Sequence, residues 1–296
     1  MKKDKMKKVI MLSMLVVLVV LMTGCQSNVD ASGHTLPERI ISLSTPWKDM
    51  MNESFFTALF VYPLAQCVNW IGKMFNSPAL GVILTTILYN ILTLGLSIKS
   101  TVQTQKLQMI QPQQLAIQEK YAGRTDEAAK MAQAQELQAL MNKHHINPMS
   151  TLITPLLTFP ILISMFYAVQ RAEIVCKGHF AGIELSTTPL TAIKNITTQW
   201  PIVVIFVLMF LCQFLQTKVP QWLASYQRKH SKNYRKYKDN GNTANSQQNM
   251  MMLVMIVMVG FIGLRWPAAM SLYWLVNSVV GIVKTVFIQW RYIDNE

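Results

Sequence analysis

Long uncharged stretches of apolar residues constrain the fold of this 296-residue chain more than any other feature. A helix crosses the roughly 30 Å hydrocarbon layer of a bilayer in about 20 residues, because each residue adds about 1.5 Å. Residues 79–98 contain no charged residue, and four further apolar runs follow. Arg265 and Pro267 separate the last two runs, and proline interrupts a helix. The sequence therefore predicts five transmembrane helices, the last two joined by a tight hairpin.

The distribution of charge predicts which side of the membrane each loop faces. Only 14% of the residues are charged, against about 25% in soluble proteins. The net charge of +13 is concentrated in two loops. The first carries Lys99, Lys106, Lys120, Arg124, Lys130 and Lys143, and the second carries Lys218, Arg228, Lys229, Lys232, Arg235, Lys236 and Lys238. Basic loops remain in the cytoplasm, so we expect the mature N-terminus outside, the C-terminus inside, and no DNA partner.

The N-terminus has the layout of a secretory signal peptide. Five lysines among the first eight residues precede an apolar stretch from Val9 to Met22. Thr23 and Gly24 then place small residues before Cys25, as in a bacterial lipobox, where the cysteine is lipidated and becomes the mature N-terminus. We therefore expect Cys25 to carry lipid, with palmitate among its acyl chains, on the outer face of the cell membrane. An ordinary signal anchor with an incidental cysteine is the alternative.

The remaining reactive residues do not form the pattern of an enzyme. The sequence has no HExxH, GxSxG or Walker motif, and no histidine falls within a predicted span. His144 and His145 are adjacent, so they point apart on a helix and are too few for a metal site. A disulfide between Cys67 and Cys176 is the less favoured interpretation of two cysteines near the outer face. We predict no catalytic residue, no metal and no cofactor.

Residues 54–76 predict an amphipathic helix that lies in the outer interface. Apolar residues recur there at helical spacing, while Gln66, Asn69 and Lys73 fall on the opposite face. Trp70 is typical of the headgroup region. A soluble core helix is the alternative, but the sequence offers no soluble domain for it to pack against.

Residues 99–148 predict a polar helical hairpin that protrudes into the cytoplasm. Gly123 interrupts the helical pattern, and Thr125 is expected to cap the second helix. Asn147 and Pro148 end that helix. The pattern is too short and too weakly heptad for a long coiled coil.

These signals predict an all-α integral membrane protein with five transmembrane helices, an outer interfacial amphipathic helix and a cytoplasmic helical hairpin. The predicted spans are residues 79–98, 149–170, 199–217, 249–264 and 267–289. The other segments are a lipoprotein signal peptide (1–24), an extracytoplasmic linker (25–53), the interfacial helix (54–76), the hairpin (99–148), an extracytoplasmic loop (171–198), a basic cytoplasmic loop (218–248) and a cytoplasmic tail (290–296).

Four segments, in order, resemble the YidC/Oxa/Alb membrane protein insertases, in the five-span lipoprotein form of Gram-positive bacteria. FVYPL at Phe60 to Leu64 is similar to the start of the family's interfacial helix. Leu96 to Pro112 is similar to the segment in which the family's first span reaches the cytoplasm. Asn147 to Val169 resembles the second span. WPAAMSLYWLVNSVVGIVKTVFI, Trp266 to Ile288, resembles the last span and is the most specific match. The resemblance covers residues 54–292.

The resemblance implies a membrane insertase and chaperone with a polar groove, open to the cytoplasm and lipid, that works without nucleotide hydrolysis. The residues expected in this groove are Asn90, Gln213, Asn277 and Lys284. The family usually keeps an arginine where this chain has Asn90, so attraction of acidic client segments by that residue is not expected here. An interhelical hydrogen bond is the alternative role for Asn90. Lys284 either supplies the groove's charge or, as is commoner, extends to the cytoplasmic headgroups.

The resemblance also implies partners: newly made membrane proteins, the Sec translocon and the ribosome. Within the second basic loop, contact with the ribosome or with anionic lipid is a hypothesis for Arg228, Lys229, Lys232, Arg235, Lys236 and Lys238. A charge run that only determines topology is the alternative. Two other functions remain open: a specialised paralogue that assembles or regulates a few clients, and a small-solute transporter.

Overall fold

The computed structural model describes residues 35–124, 126–180, 182–230 and 244–293, which are almost entirely helical. The predicted signal peptide and Cys25 lie outside these ranges. The helices are α1 (Trp47–Glu53), α2 (Tyr62–Met74), α3 (Pro78–Leu92), α4 (Leu94–Met109), α5 (Gln111–Lys120), α6 (Glu127–Lys143), α7 (Pro148–Arg171), α8 (Glu173–Lys177), α9 (Pro189–Lys194), α10 (Ile196–His230), α11 (Ala244–Gly263) and α12 (Ala268–Ile288). A 3₁₀-helix (Pro37–Arg39), π-helical turns at Thr57–Val61 and Gln289–Ile293, and antiparallel strands β1 (His179–Phe180) and β2 (Ile183–Glu184) complete the described elements.

Two helical stretches of the described ranges are long and apolar enough to cross a membrane. They are Ile196–Gln227, within α10, and Ala268–Ile293, which includes α12. The shorter α3 is also apolar. These stretches overlap the predicted third, fifth and first spans, while α7 and α11 overlap the predicted second and fourth. The mostly helical structure is consistent with the predicted all-α membrane protein, and the count of five spans stays a prediction.

The predicted first span, residues 79–98, is not one continuous helix. The helix α3 begins at Pro78, where the Ser77 hydroxyl accepts a hydrogen bond from the Leu80 amide at 3.3 Å. It ends at Leu92, where Thr93 follows with a φ of −90° and a ψ of 0° and its hydroxyl donates to the Tyr89 carbonyl at 3.0 Å. A threonine hydroxyl that competes for helix carbonyls bends or ends helices. The chain then continues as α4 into the region predicted as the cytoplasmic hairpin.

In the region predicted as the cytoplasmic hairpin, α5 and α6 pack against each other. Gly123 adopts a positive φ of 84° in the turn between them, a conformation that glycine adopts without steric cost. Thr125, the predicted cap, lies outside the described residues, and the N-cap of α6 is Asp126. Asp126 has the extended backbone that an N-cap requires, and its carboxylate accepts from the Ala129 amide at 3.0 Å. Across the hairpin, the Glu136 carboxylate accepts from both Lys120 and the Tyr121 hydroxyl.

The main hydrophobic core lies where the first residues of α12 meet α2, α3, α7 and the segment around β2. Ala268 to Tyr273 is continuously buried. The helices α2 and α3 approach closely because two glycines face each other. A Cβ atom on Gly81 would lie 2.6 Å from the Val68 carbonyl oxygen and 3.1 Å from the Cα atom of Gly72.

One expectation for the helix α2 is wrong, while the less favoured disulfide is indeed not formed. Asn69 does not face solvent from a polar side of the amphipathic helix, since it is completely buried. Cys67 and Cys176 are free thiols and form no disulfide. Burial raises the pKa of both thiols above its ordinary value, so the reactive thiolate is disfavoured at each.

Candidate functional site

Polar and small residues follow one face of α12 and its C-terminal turn. They are Asn277, Ser278, Gly281, Thr285 and Gln289. Positions three or four residues apart lie above one another on a helix, so these residues form a continuous line, which we call the polar seam. Side chains from α3, α4 and α10 meet it.

The first contact of the polar seam joins α3 to α12. The Asn90 side-chain amide donates to the Asn277 side-chain oxygen at 3.2 Å and to the Thr86 carbonyl at 2.9 Å. Asn90 is 6% exposed. The residue therefore makes the interhelical hydrogen bond that was the alternative to a groove role, and its partner is another of the predicted groove residues. No charged group takes part in this contact.

The next two contacts join α10 to α12. The Ser278 hydroxyl donates to the Gln213 side-chain oxygen at 3.0 Å. One turn further, the Gln216 amide lies directly against Gly281, so that a methyl group there would overlap the amide nitrogen. The absence of a side chain at Gly281 thus lets the glutamine of α10 reach the backbone of α12. Gln213 and Gln216 are both half-buried.

The last two contacts lie near the C-terminal end of α12. The Gln105 amide of α4 donates to the Thr285 carbonyl at 3.2 Å, and the Gln289 amide donates to the Gln227 side-chain oxygen of α10 at 3.0 Å. The other polar atom of the Gln105 amide, its oxygen, is buried without a hydrogen-bond partner in the described ranges. Such an acceptor is costly unless it finds a donor.

Lys284 lies beside the polar seam and is half-buried. Its ammonium makes no hydrogen bond or ion pair with a residue of the described ranges. Seven residues separate it from Asn277, which corresponds to two turns or about 10.5 Å along the helix. The structure therefore places Lys284 on the same side of α12 as Asn277 but does not bring it into contact with Asn90.

The polar seam is closed at the end nearest Pro267. There the Trp266 ring packs against the rings of Phe166 and Trp274, with centroids 5.0 and 5.1 Å apart. The backbone amides of Ala268 and Ala269 donate to carbonyls of the segment after β2. Towards the C-terminus, several residues of α12 between the seam positions are half-buried or exposed, while Thr285, Ile288 and Gln289 remain buried. The cluster of aromatic rings therefore distinguishes the end of the seam nearest Pro267 from the other end.

The structure does not describe the side chains of the other predicted site residues. Arg228 and Lys229 belong to the last turn of α10, and nothing is described of their side chains. Cys25 and four residues of the basic loop, Lys232, Arg235, Lys236 and Lys238, lie outside the described residues. Within the described residues, no group of three or more His, Cys, Asp or Glu side chains could hold a metal ion.

Sequence reasoning missed Gln105, Thr285 and Gln289 as parts of the site. The repetition of polar or small residues at positions 277, 281, 285 and 289 of one helix was a signal that could have found the α12 side of the seam. Gln105 had no such signal. It falls in a polar stretch predicted as hairpin, and only the fold brings α4 against α12.

The fold and the site define a class: a helical membrane protein whose last apolar helix carries a hydrogen-bonded polar seam closed at one end. Residues 70–295 match the family model described as 60Kd inner membrane protein. The chain accordingly belongs to the YidC/Oxa/Alb family of membrane protein insertases.

Curated relatives match over most of the chain. The membrane protein insertase YidC 2 of Bacillus anthracis is 26% identical over 284 residues, which cover 96% of this chain and 94% of that protein. YidC 1 of Halalkalibacterium halodurans is 26% identical, with coverage of 94% and 90%. The insertase MisCA of Bacillus subtilis is 25% identical, with 79% of each chain covered. The names of these relatives support an insertase function.

Proposed function

We propose that this protein inserts other proteins into the bacterial cell membrane and helps them fold, using the polar seam as the wall of an intramembrane groove. The observation that carries the proposal is the hydrogen-bonded seam itself. Polar side chains on apolar helices are costly in lipid and mark functional pathways. Family membership and the names of the relatives point to the same activity.

The proposed topology has five spans, a lipid-anchored Cys25 on the outer face and a cytoplasmic C-terminus. The positive-inside rule supports this orientation. The apolar character of Ile196–Gln227 and Ala268–Ile293 supports the proposal that these helices are spans. In this orientation the tightly packed end of the polar seam, at Pro267, faces outwards. The other end, at Thr285 and Gln289, faces the cytoplasm, where a client segment would enter.

The groove would act by exchanging hydrogen bonds. A polar client segment that enters can replace the contact between Asn90 and Asn277 or the contact between Gln213 and Ser278, so its polar groups are not left without partners in lipid. The client's apolar residues then move into lipid, and their burial supplies about 25 cal/mol per Å². This free energy requires no nucleotide, cofactor or catalytic residue, so we propose an insertase that is not an enzyme.

The proposed partners are newly made membrane proteins, with the Sec translocon and the ribosome as cooperating machinery. The basic loop, from Arg228 and Lys229 to Lys238, would contact ribosomal RNA or anionic lipid through its positive charge. The local concentration of cations in that loop supports this role.

Reconstitution tests the insertase proposal directly. The purified protein, placed in protein-free liposomes, is expected to insert a small two-span membrane protein with short translocated tails, measured by protease protection. Empty liposomes and liposomes with the Asn90→Arg variant are the controls. Insertion no better than in empty liposomes, by both the native protein and the variant, would reject the proposal.

A specialised paralogue is the second candidate function, and the uncharged contact between Asn90 and Asn277 favours it. Such a protein would insert only a few clients. Insertion by Asn90→Arg but not by the native protein, in the same assay, would support this candidate over a general insertase.

Lys284 is proposed to act on acidic client segments, because it is the unpartnered cation beside the polar seam within the described ranges. The Lys284→Gln variant is expected to insert clients with acidic translocated tails several-fold less well than clients with neutral tails. Equal insertion of both client types by the variant would show instead that Lys284 extends to the headgroups.

A further inference from the structure

Residues 35–53 form a segment, here called the strap, that crosses the outer surface of the protein. Its centre is Ile41, which is completely buried. The Ile41 amide donates to the Arg171 carbonyl at 2.7 Å, and the Ile41 carbonyl accepts from the Glu173 amide at 3.0 Å. The strap is thus attached like a β-strand to the junction between α7 and α8.

One buried side chain, Arg171, holds both ends of the strap. Its guanidinium donates to the two carboxylate oxygens of Glu53 at 2.8 and 2.7 Å, while its Nε atom donates to the Arg39 carbonyl at 2.7 Å. Arg171 is 1% exposed. A buried guanidinium is tolerated only when its charge is paired and its donors are used, and this two-point geometry is specific to arginine.

The strap also accepts hydrogen bonds from polar side chains of α2. The completely buried Asn69 donates to the Ile41 carbonyl at 2.6 Å and accepts from the Ile174 amide at 3.0 Å. Gln66 donates to the Ser42 carbonyl at 2.8 Å. Two further bonds join the strap to this region, from the Tyr62 hydroxyl to the Thr45 carbonyl at 3.0 Å and from the Trp47 ring nitrogen to the Ala58 carbonyl at 3.1 Å. Backbone carbonyls of the strap therefore occupy the place that water takes beside an ordinary amphipathic helix.

Several large apolar residues of α2 and of the turn before it are exposed. They are Phe55, Leu59, Phe60, Trp70, Met74 and Phe75. In the proposed topology these residues meet the outer leaflet. The helix α2 consequently contacts lipid through these side chains and the strap through Gln66 and Asn69.

We infer that Arg171 is a positioning residue, which sets the depth and the rotation of α2 in the outer interface through the strap. Without the strap, Gln66 and Asn69 would turn towards water and rotate α2 about its axis. The close approach of Gly72 and Gly81 would transmit that rotation to α3, the helix that carries Asn90. The inference needs the proposed outer location of the strap but not the insertase activity.

Depth-dependent quenching in vesicles tests this inference. In full-length protein with Cys67, Cys176 and Cys212 changed to serine, a Trp70→Cys variant is labelled with a fluorophore, and lipids with nitroxides at different depths quench it. Glu53→Gln or Arg171→Gln should move the label by at least about 5 Å, the scale of the depth at which interfacial helices lie. Trypsin should then also cleave at Lys48 in the strap.

Two further variants keep the test decisive. Lys73→Gln removes an ion pair with Glu173, at 3.9 Å, on the exposed surface of the same helix, and it should leave the label in place. Arg171→Lys keeps the buried positive charge beside Glu53 but cannot reproduce the two-point geometry, so it should move the label in the same direction as Arg171→Gln, including where Arg171→Gln fails to fold. Cleavage at Lys48 without movement of the label, or an unmoved label in the folded Glu53→Gln and Arg171→Lys variants, would overturn the inference.

Discussion

At the residue scale, the polar seam consists mainly of neutral amide and hydroxyl groups that bond to each other across helices. The contact between Asn90 and Asn277 is representative, since each amide offers a donor and an acceptor and neither requires a counter-ion. Hydrogen bonds of this kind between membrane helices contribute about 0.6 kcal/mol on average. In the proposed function, they are strong enough to hold the groove wall together and weak enough for a client to replace.

A double-mutant cycle measures the strength of the hydrogen bond between Asn90 and Asn277. Asn90→Ala and Asn277→Ala should each destabilise the protein, and the double variant should lose about 0.6–1.7 kcal/mol less than the sum of the two. The measurement is unfolding in mixed micelles by denaturing detergent. Strictly additive losses would show that the two side chains are not coupled in the folded protein.

The pKa of His144, at the end of the cytoplasmic hairpin, is below its ordinary value of 6.5, because of burial and then of the positive charges of Lys143 and His145. The unfolded hairpin therefore binds a proton more readily than the folded one. The folded hairpin therefore has its full stability above pH 6.5. Its stability decreases as the pH falls from 6.5 towards the lowered pKa of His144 in the folded protein.

Acidification from about pH 7 to 5.5 should thus increase hydrogen exchange in the last turn of α6, after correction for intrinsic rates. His144→Gln is the matched control, since it cannot titrate and should remove the increase. An unchanged pH response in that variant would assign the effect to other groups.

At the element scale, close helix contacts depend on particular glycines. Gly81 of α3 faces backbone atoms of α2, namely the Val68 carbonyl and Gly72, whereas Gly281 of α12 faces the flexible end of Gln216. Backbone atoms cannot move aside without shifting a helix, but a glutamine can change its rotamer. The same substitution should therefore have different costs at the two positions.

Gly81→Ala is expected to destabilise the protein by about 1–3 kcal/mol through overpacking, and Gly281→Ala by less. Gly95→Ala is the control, since a Cβ atom there meets nothing within 4 Å in the structure, and alanine raises helix stability by about 0.5–1 kcal/mol. Unfolding in mixed micelles measures all three. Equal effects at positions 81 and 281 would contradict the packing described.

Sequence patterns predicted the apolar elements better than the contacts between them. The hairpin turn at Gly123 and the interruption at Pro267 were visible because glycine and proline act on the local backbone. The end of α3 at Thr93 was not visible in the sequence, since threonine ends a helix only in some environments. The burial of Asn69 depends on Ile41 of the strap, 28 residues away in the sequence, and no local period reports such a contact.

At the scale of the whole molecule, the packed rings around Trp266 distinguish the Pro267 end of the last helix from its C-terminal end. The hydrogen bonds of the α12 N-terminus to the segment after β2 reinforce the closed end. A groove that opens to one side only would let a client enter from the cytoplasm without leaving a path for ions. A transporter would instead need access from both sides in turn.

Cysteine accessibility along α12 distinguishes an insertase groove that opens to one side from a transporter that opens to both. In protein with Cys67, Cys176 and Cys212 changed to serine, single substitutions Ser271→Cys, Asn277→Cys and Lys284→Cys are treated with a membrane-impermeant maleimide. From the cytoplasmic side, position 284 should react fastest, position 277 more slowly and the buried position 271 not at all. From the outer side none of the three should react, because the packed rings around Trp266 close that end. Reaction at position 271 or 277 from outside would show that the outer end opens, and would favour a transporter over an insertase.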